Sequence, residues 1–153
     1  YAPRTAINSP VFLGVDIGST STKAVLIDKD NTVCCGFYTR TAGRPLEAVQ
    51  SIFRAIDDYG GQTGGQFAVV SCATTGSGRK FVGKIIGADL VVDEITAHAR
   101  AATQLNPLVD TIIEIGGQDA KFTTLKNGSV TSSTMNNGIT GFSYGCTHHP
   151  IHP

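Results

Sequence analysis

Apolar and polar positions along the first forty residues predict three β-strands. An apolar run over residues 11–17 ends in the small polar residues 18–22, and a second apolar run follows over 23–28. Turn-forming residues at 28–31 lead to a third segment, 32–39, which is rich in β-branched and aromatic side chains. We expect the three strands to form an antiparallel meander.

Helical and strand patterns alternate in the next seventy residues. Pro45 can open a helix, and apolar residues continue at helical spacing until the glycine pair at 60–61, where we expect the helix to stop. Four more segments are predicted as a strand, a short helix, a strand and a helix, over residues 67–73, 79–86, 90–92 and 93–105.

The segment at 110–125 repeats the strand, glycine turn and strand found at 11–27. A hairpin turn at 126–129 then leads into another strand at 130–134. This repetition predicts that a second domain begins here with the same arrangement as the first.

These patterns divide the chain into four parts. We predict a polar lead, a first α/β domain with a mixed sheet flanked by helices, the incomplete start of a second such domain, and a disordered tail, over residues 1–10, 11–107, 108–137 and 138–153. The tail is rich in Gly, Pro and His and shows neither strand nor helix periodicity.

Composition and charge narrow the classes of function. Twelve basic and twelve acidic residues give a formal net charge of zero, and no basic patch favours nucleic acid or a membrane surface as a partner. No apolar run approaches the roughly 20 residues of a membrane span, and no signal-peptide pattern opens the chain, so we expect a soluble, cytoplasmic protein. The four cysteines contain no CxxC pair and are expected to be reduced thiols.

The principal candidate site is the turn between the first two predicted strands. Gly18 lets the backbone turn close to a ligand, and Asp16 can hold a hydrated Mg²⁺. Hydroxyl and amide donors for phosphate oxygens come from Ser19, Thr20, Ser21 and Thr22. Lys23 adds positive charge where its side chain reaches the pocket. The spacing matches neither GxxxxGK[ST] nor GxGxxG, and a plain hairpin turn with a solvated Asp16 is the alternative interpretation.

A second turn with glycines and polar side chains between two strands follows about 100 residues later. Two such turns suit a nucleotide clamped between two domains. Gly116 and Gly117 expose backbone amides, while Gln118 and Asp119 can orient water or metal and are the candidate catalytic residues. Glu94, near the start of a predicted helix, is suited equally to capping that helix and to supporting a metal.

Two further features have an ordinary interpretation beside a functional one. His98 lies in a predicted helix, where a packed or capping histidine is the ordinary interpretation. The small-residue turn at 74–79 follows a predicted strand, at the kind of position where open α/β sheets bind ligands. An ordinary tight connection explains that turn equally well.

Four segments in order, at 14–23, 92–99, 115–121 and 135–136, resemble motifs of one family. This family comprises the ATP-dependent activators of 2-hydroxyacyl-CoA dehydratases and the ATP-binding subunits of benzoyl-CoA reductase. It lies within the superfamily of sugar kinases, heat-shock chaperones and actin. The resemblance covers residues 11 to about 137 and implies an RNase H-like, actin-like ATPase fold.

In such proteins two RNase H-like domains close over ATP or ADP with Mg²⁺. Hydrolysis then drives an electron from a [4Fe–4S] cluster into a dehydratase or reductase partner. By this resemblance Asp16 coordinates Mg²⁺ through water, residues 19–23 face the phosphates, and residues 116–119 contact the phosphate end from the other side. The family's cluster cysteine follows a Met-Asn pair, but no cysteine stands at the matching place after Met135-Asn136, so we expect no cluster.

The superfamily's later glycine loop, which contacts adenosine, has no counterpart here. We therefore expect the N-terminal part of an activator, a truncated domain that is inactive alone and able to dimerise through its half-built second sheet. Two alternatives stay open. One is a phosphotransferase related to sugar or N-acetylglucosamine kinases, and the other is a non-catalytic interaction domain with an ATPase fold.

Overall fold

The computed structural model describes residues 7–65, 67–116 and 119–137. In these ranges the chain forms two β-sheets and three α-helices. The predicted tail at 138–153 and most of the predicted lead at 1–10 lie outside the described residues. None of the described helices is long and apolar enough to cross a membrane.

The first sheet is mixed and has five strands in the order β3-β2-β1-β4-β5. The strands are β1 (Val11–Ile17), β2 (Ser21–Ile27), β3 (Val33–Arg40), β4 (Val69–Thr75) and β5 (Leu90–Val91). β1, β2 and β3 form the predicted antiparallel meander, whereas β4 pairs in parallel with both β1 and β5. Parallel neighbours need crossover connections, and the helices supply them.

Two helices, α1 (Pro45–Thr63) and α2 (Arg79–Ile86), connect strands of this sheet, and α3 (Glu94–Leu105) leads from β5 to the next strand along the chain. The prediction that α1 stops at the glycine pair 60–61 is wrong. Gly60 stays in the helix, where a Cβ would lie 3.3 Å from the ring of Phe67, so the missing side chain allows close packing. The helix ends at Gly64 instead, which adopts the left-handed conformation with φ of 66°.

The hydrophobic core lies between α1 and one face of the first sheet. Alternate residues of β1 are buried there, namely Val11, Leu13, Val15 and Ile17. Apolar residues of β2 and α1 pack against them, including Leu26, Val49 and Ile52. Because side chains alternate along a strand, Asp16 points to the other face of the sheet. The packing of β1 against α1 therefore fixes the face of the sheet on which the Asp16 carboxylate lies.

The second sheet is an antiparallel set of three strands, β6 (Thr111–Ile115), β7 (Asp119–Lys126) and β8 (Ser129–Asn137), in that order. Asn127 and Gly128 both have positive φ, 51° and 75°, which is the backbone that a tight hairpin turn between β7 and β8 requires. The predicted strands and the hairpin turn between β7 and β8 are confirmed. That residues 108–137 begin a separate domain remains a prediction.

Gly76 lies in the turn from β4 to α2, where the chain packs closely against the end of β1. It has φ of +88°, and a Cβ there would lie 2.5 Å from the Ile17 carbonyl oxygen and 2.6 Å from Asp16 Oδ1. We expect Gly76→Ala to lower the free energy of unfolding by roughly 2–4 kcal/mol, since backbone atoms must shift. Urea unfolding followed by circular dichroism measures this loss.

Gly87→Ala is the matched control, because Gly87 also has positive φ, +68°, but no atom within 4 Å of the added Cβ. Its expected cost is about 1 kcal/mol, which is the penalty of the left-handed conformation alone. Equal losses in the two variants would contradict the close packing of Gly76 against β1.

Candidate functional site

A cleft of about 190 Å³ lies between the two sheets. Its walls come from four places: the β1–β2 turn, the start of α2, the first turns of α3, and the β6–β7 turn. The lining residues are Asp16, Gly18, Ser19, Thr20, Ser21, Lys23, Ser77, Glu94, His98, Glu114, Gly116, Asp119 and Lys121. The structure thus brings both predicted glycine turns and Glu94 to one cleft.

The two glycine turns are closed in the same way. Gly18 N donates to Ser21 O at 3.0 Å, and Gly116 N donates to Asp119 O at 2.8 Å. The amides of Gly18 and Gly116 are therefore engaged within their turns, and in the first turn Ser19, Thr20 and Ser21 line the cleft and can present donors to an anion. Gly18 has a steric role, since a Cβ would lie 2.8 Å from Ser21 O.

Thr41, which sequence reasoning missed, supports the first turn from below. Its Oγ1 donates to Gly18 O at 2.7 Å, and its backbone N donates to Thr20 O at 2.9 Å. Its hydroxyl also lies 2.9 Å from Thr22 Oγ1, and both side chains are buried. Thr22 therefore bonds Thr41 rather than lining the cleft. Thr41 directly follows β3, and the β2–β3 pairing brings that end beside the turn.

Asp16 and Lys23 face each other across the β1–β2 pair. They are register partners, and Lys23 Nζ lies 3.1 Å from Asp16 Oδ2. Their side chains are 33% and 49% exposed, so the pair is a weak surface ion pair that an incoming cation or phosphate can rearrange. Lys23 does reach the cleft.

The β4–α2 turn also approaches the first glycine turn. Gly78 N donates to Ile17 O at 2.9 Å, and Ser77 lines the cleft. The turn at 74–79 is therefore part of the cleft wall as well as a tight connection.

Lys121 on β7 carries a buried ammonium group between three carboxylates. Its side chain is 4% exposed, and Nζ forms a short ion pair with Glu94 Oε2. Nζ also lies 3.4 Å from Glu114 Oε1 and 3.7 Å from Asp119 Oδ2. Burial acts to lower the pKa of Lys121, but the hydrogen bond to Glu94 and the three negative charges outweigh it and raise that pKa. The ammonium is thus fixed as a cation.

His98, for which a packed or capping histidine was the ordinary interpretation, lines the cleft, and so does Glu114, to which the sequence assigned no role. His98 Nδ1 lies 2.7 Å from Glu114 Oε2, and Glu114 is the register partner of Lys121. Glu94 and His98 are four residues apart on α3, so they share one helix face. That spacing is the signal in the sequence that could have linked them. Asp93, rather than Glu94, caps α3 by accepting a hydrogen bond from Thr96 N.

Four carboxylates and two ammonium groups line the cleft. Among the described residues, no group of three or more His, Cys, Asp or Glu side chains is arranged to hold a metal ion. Mg²⁺ fits the cleft in another way, because it keeps several waters and commonly binds one or two carboxylates together with phosphates. Partly exposed Asp16 suits that role. Gly117 and Gln118 lie outside the described residues.

The described cysteines do not fit an iron–sulfur cluster. Cys35 is 1% exposed in the core, and burial raises the pKa of its thiol to about 11. Burial also raises the pKa of Cys34 and of Cys72. Cluster ligands must be thiolates, so these groups are poorly suited to that chemistry. Cys146 lies outside the described residues.

Comparison with solved structures identifies the class of protein. A crystal structure of the (R)-2-hydroxyglutaryl-CoA dehydratase component A from Acidaminococcus fermentans matches with a TM-score of 0.65 and 26% identity, over 83% of this chain and 47% of that one. An ADPNP-bound activator of the 2-hydroxyisocaproyl-CoA dehydratase from Clostridium difficile matches with a TM-score of 0.67 and 30% identity, over 83% of this chain and 46% of that one. The fold is that of the actin-like ATPases.

The sequence gives the family within this class. Residues 13–143 match the model of the BadF/BadG/BcrA/BcrD ATPase family, and the chain belongs to that family. The (R)-2-hydroxyglutaryl-CoA dehydratase activating ATPase of Acidaminococcus fermentans is 31% identical over 132 residues, which are 81% of this chain and 46% of the relative. The activator of lactoyl-CoA dehydratase from Anaerotignum propionicum is 36% identical over 110 residues, 71% of this chain and 40% of the relative. The chain thus spans less than half the length of these relatives.

Thr41→Val tests the support beneath the first glycine turn. The substitution keeps the shape of the side chain but removes the donor to Gly18 O and the partner of the Thr22 hydroxyl. A buried polar group without a partner costs about 1–3 kcal/mol, so we expect the free energy of unfolding to fall by about 2 kcal/mol in denaturant titrations. Thr39→Val, at a partly exposed position on β3, is the control and should cost well below ~1 kcal/mol. Equal costs would contradict the assigned role of Thr41.

Proposed function

We propose that this chain supplies the phosphate-binding half of an ATPase that activates a dehydratase of 2-hydroxyacyl-CoA compounds. The observation that carries the proposal is the cleft in which the β1–β2 turn and the β6–β7 turn face each other. Both turns are closed by the same glycine hydrogen bond, as expected of two walls built to hold one ligand.

The charges of the cleft favour a nucleotide that arrives with a divalent cation. The four carboxylates of the cleft outnumber its two ammonium groups by two. The phosphates of free ATP would be repelled by this excess, whereas a bound cation offsets it. Mg²⁺ would be held through water by Asp16, which is partly exposed beside Lys23.

In this proposal each wall has a separate task. Ser19, Thr20 and Ser21 donate hydrogen bonds to phosphate oxygens, and Lys23 turns from Asp16 towards the phosphates when the cation is bound. Asp119, 29% exposed on the opposite wall, orients the attacking water together with Gln118. When bound, Mg²⁺ would neutralise charge that develops on the phosphates.

The partner is proposed from the relatives, whose names describe activation of 2-hydroxyglutaryl-CoA, 2-hydroxyisocaproyl-CoA and lactoyl-CoA dehydratases. In such a system, hydrolysis would be coupled to a change of shape and to electron transfer into the dehydratase. The described cysteines offer no cluster site, so the roles assigned to described residues are limited to nucleotide chemistry. A glucokinase of known structure shares the fold at 15% identity, which gives no support for kinase activity.

Isothermal titration calorimetry tests the proposal, and it suits a chain that contains no Trp for fluorescence work. We expect MgADP and the Mg²⁺ complex of ADPNP to bind, and Asp16→Asn to weaken the Mg²⁺-dependent binding about tenfold, equivalent to ~1.4 kcal/mol. Asp30→Asn, in the exposed turn before β3, is the control and should bind as the unaltered chain does. No binding, or equal binding by both variants, would refute a phosphate site beside Asp16.

A further inference from the structure

The ammonium of Lys121 occupies a position where carboxylates from three elements converge. Glu94 comes from α3, Glu114 from β6 and Asp119 from β7. One oxygen of each lies within 3.7 Å of Nζ, and the side chain that carries the ammonium is 4% exposed although it reaches the cleft. The ammonium donates hydrogen bonds to Glu94 and Glu114, and Asp119 lies within ion-pair distance.

Arranged around Lys121, the three carboxylates form no metal site, but without the ammonium their oxygens are of the kind that can close on a divalent cation. We propose that Lys121 is the fixed cation of this cleft. It positions the Glu94 carboxylate and fills the place between Glu94, Glu114 and Asp119 that a second divalent cation would otherwise occupy. The cleft then takes one divalent cation with its nucleotide, beside Asp16. The statement about nucleotide stoichiometry rests on the proposed function, whereas the statement about the space filled by Lys121 does not.

The elements that carry Glu94 and Glu114 indicate that Lys121 positions α3, beyond forming a simple ion pair. Glu94 belongs to the helix that follows the first sheet, while Lys121 belongs to the second sheet, so their contact spans the cleft. Glu114 uses its second oxygen to bond His98, one helical turn beyond Glu94. Lys121 and Glu114 therefore hold the cleft face of α3 at two points. If a metal ion took the place of Lys121, the contact between α3 and the second sheet would depend on the metal concentration.

Loss of stability alone would not distinguish this role from that of a structural ion pair, because removing Lys121 leaves buried carboxylates uncompensated in either case. A gain of metal binding does distinguish them. An ion pair that serves only stability gives no reason for a divalent cation to bind when the lysine is removed.

The experiment is a titration of the whole chain with Mn²⁺, followed by electron paramagnetic resonance of the free ion, without nucleotide. We expect Lys121→Met to bind one Mn²⁺ at least about tenfold more tightly than the unaltered chain. Lys121→Arg keeps a cation in place and should show no gain. Lys126→Met, which removes an exposed lysine of the same strand, is the matched control and should also show no gain. Adding Glu114→Gln to Lys121→Met should abolish the gained site.

A folded Lys121→Met variant that binds Mn²⁺ no better than the unaltered chain would overturn the proposal. Should the variant be unfolded without metal, Mn²⁺ is expected to restore its circular dichroism spectrum, while NaCl of equal ionic strength is not. Absence of that rescue would also overturn it. Because no nucleotide is present, failure here is separate from failure of the calorimetric test. Two Mn²⁺ ions per bound nucleotide in the unaltered chain would refute the stated stoichiometry.

Discussion

Helix α3 and the second sheet meet at the cleft through charged groups, with the ammonium of Lys121 between Glu94 of α3 and Glu114 of β6. An ammonium buried to this degree is stable only where carboxylates surround it, and those carboxylates would repel one another without it. The same contact therefore sets where α3 lies relative to the β6–β7 turn. Since Glu94 and His98 line the cleft from α3, the width and charge of the cleft depend on it.

The other wall is fixed by backbone packing instead of charge. Gly76 and Gly78 let the β4–α2 turn lie against the end of β1, and Thr41 supports the β1–β2 turn through Gly18 O. The exposed residues Ser19 and Thr20 then face the cleft from a rigid base. A wall built from backbone and hydroxyl groups suits phosphate and its Asp16 suits a cation, while Asp119 opposite suits water. This division agrees with membership of an ATPase family.

Much of this arrangement could be predicted from the sequence, because the strands and the glycine turns are local patterns. The meander, α2, α3 and the glycine turn before Asp119 follow from periodicity and small residues. Contacts between residues that are far apart in the sequence could not be predicted. The burial of Thr22 under Thr41 needs the register of β2 and β3, and the place of Lys121 needs α3 packed against β7. Local propensity also misplaced the end of α1, because Gly60 stays within the helix, where a Cβ would lie 3.3 Å from the ring of Phe67.

The two glycine turns are proposed to bind one ligand together. Amide proton–nitrogen correlation spectra of the chain during titration with MgADP test this most directly. We expect the amides of Ser19 and Thr20 to shift together with that of Gly116, over the same range of MgADP concentration. Shifts confined to one of the two turns, or separate concentration ranges for the two, would contradict a shared phosphate site.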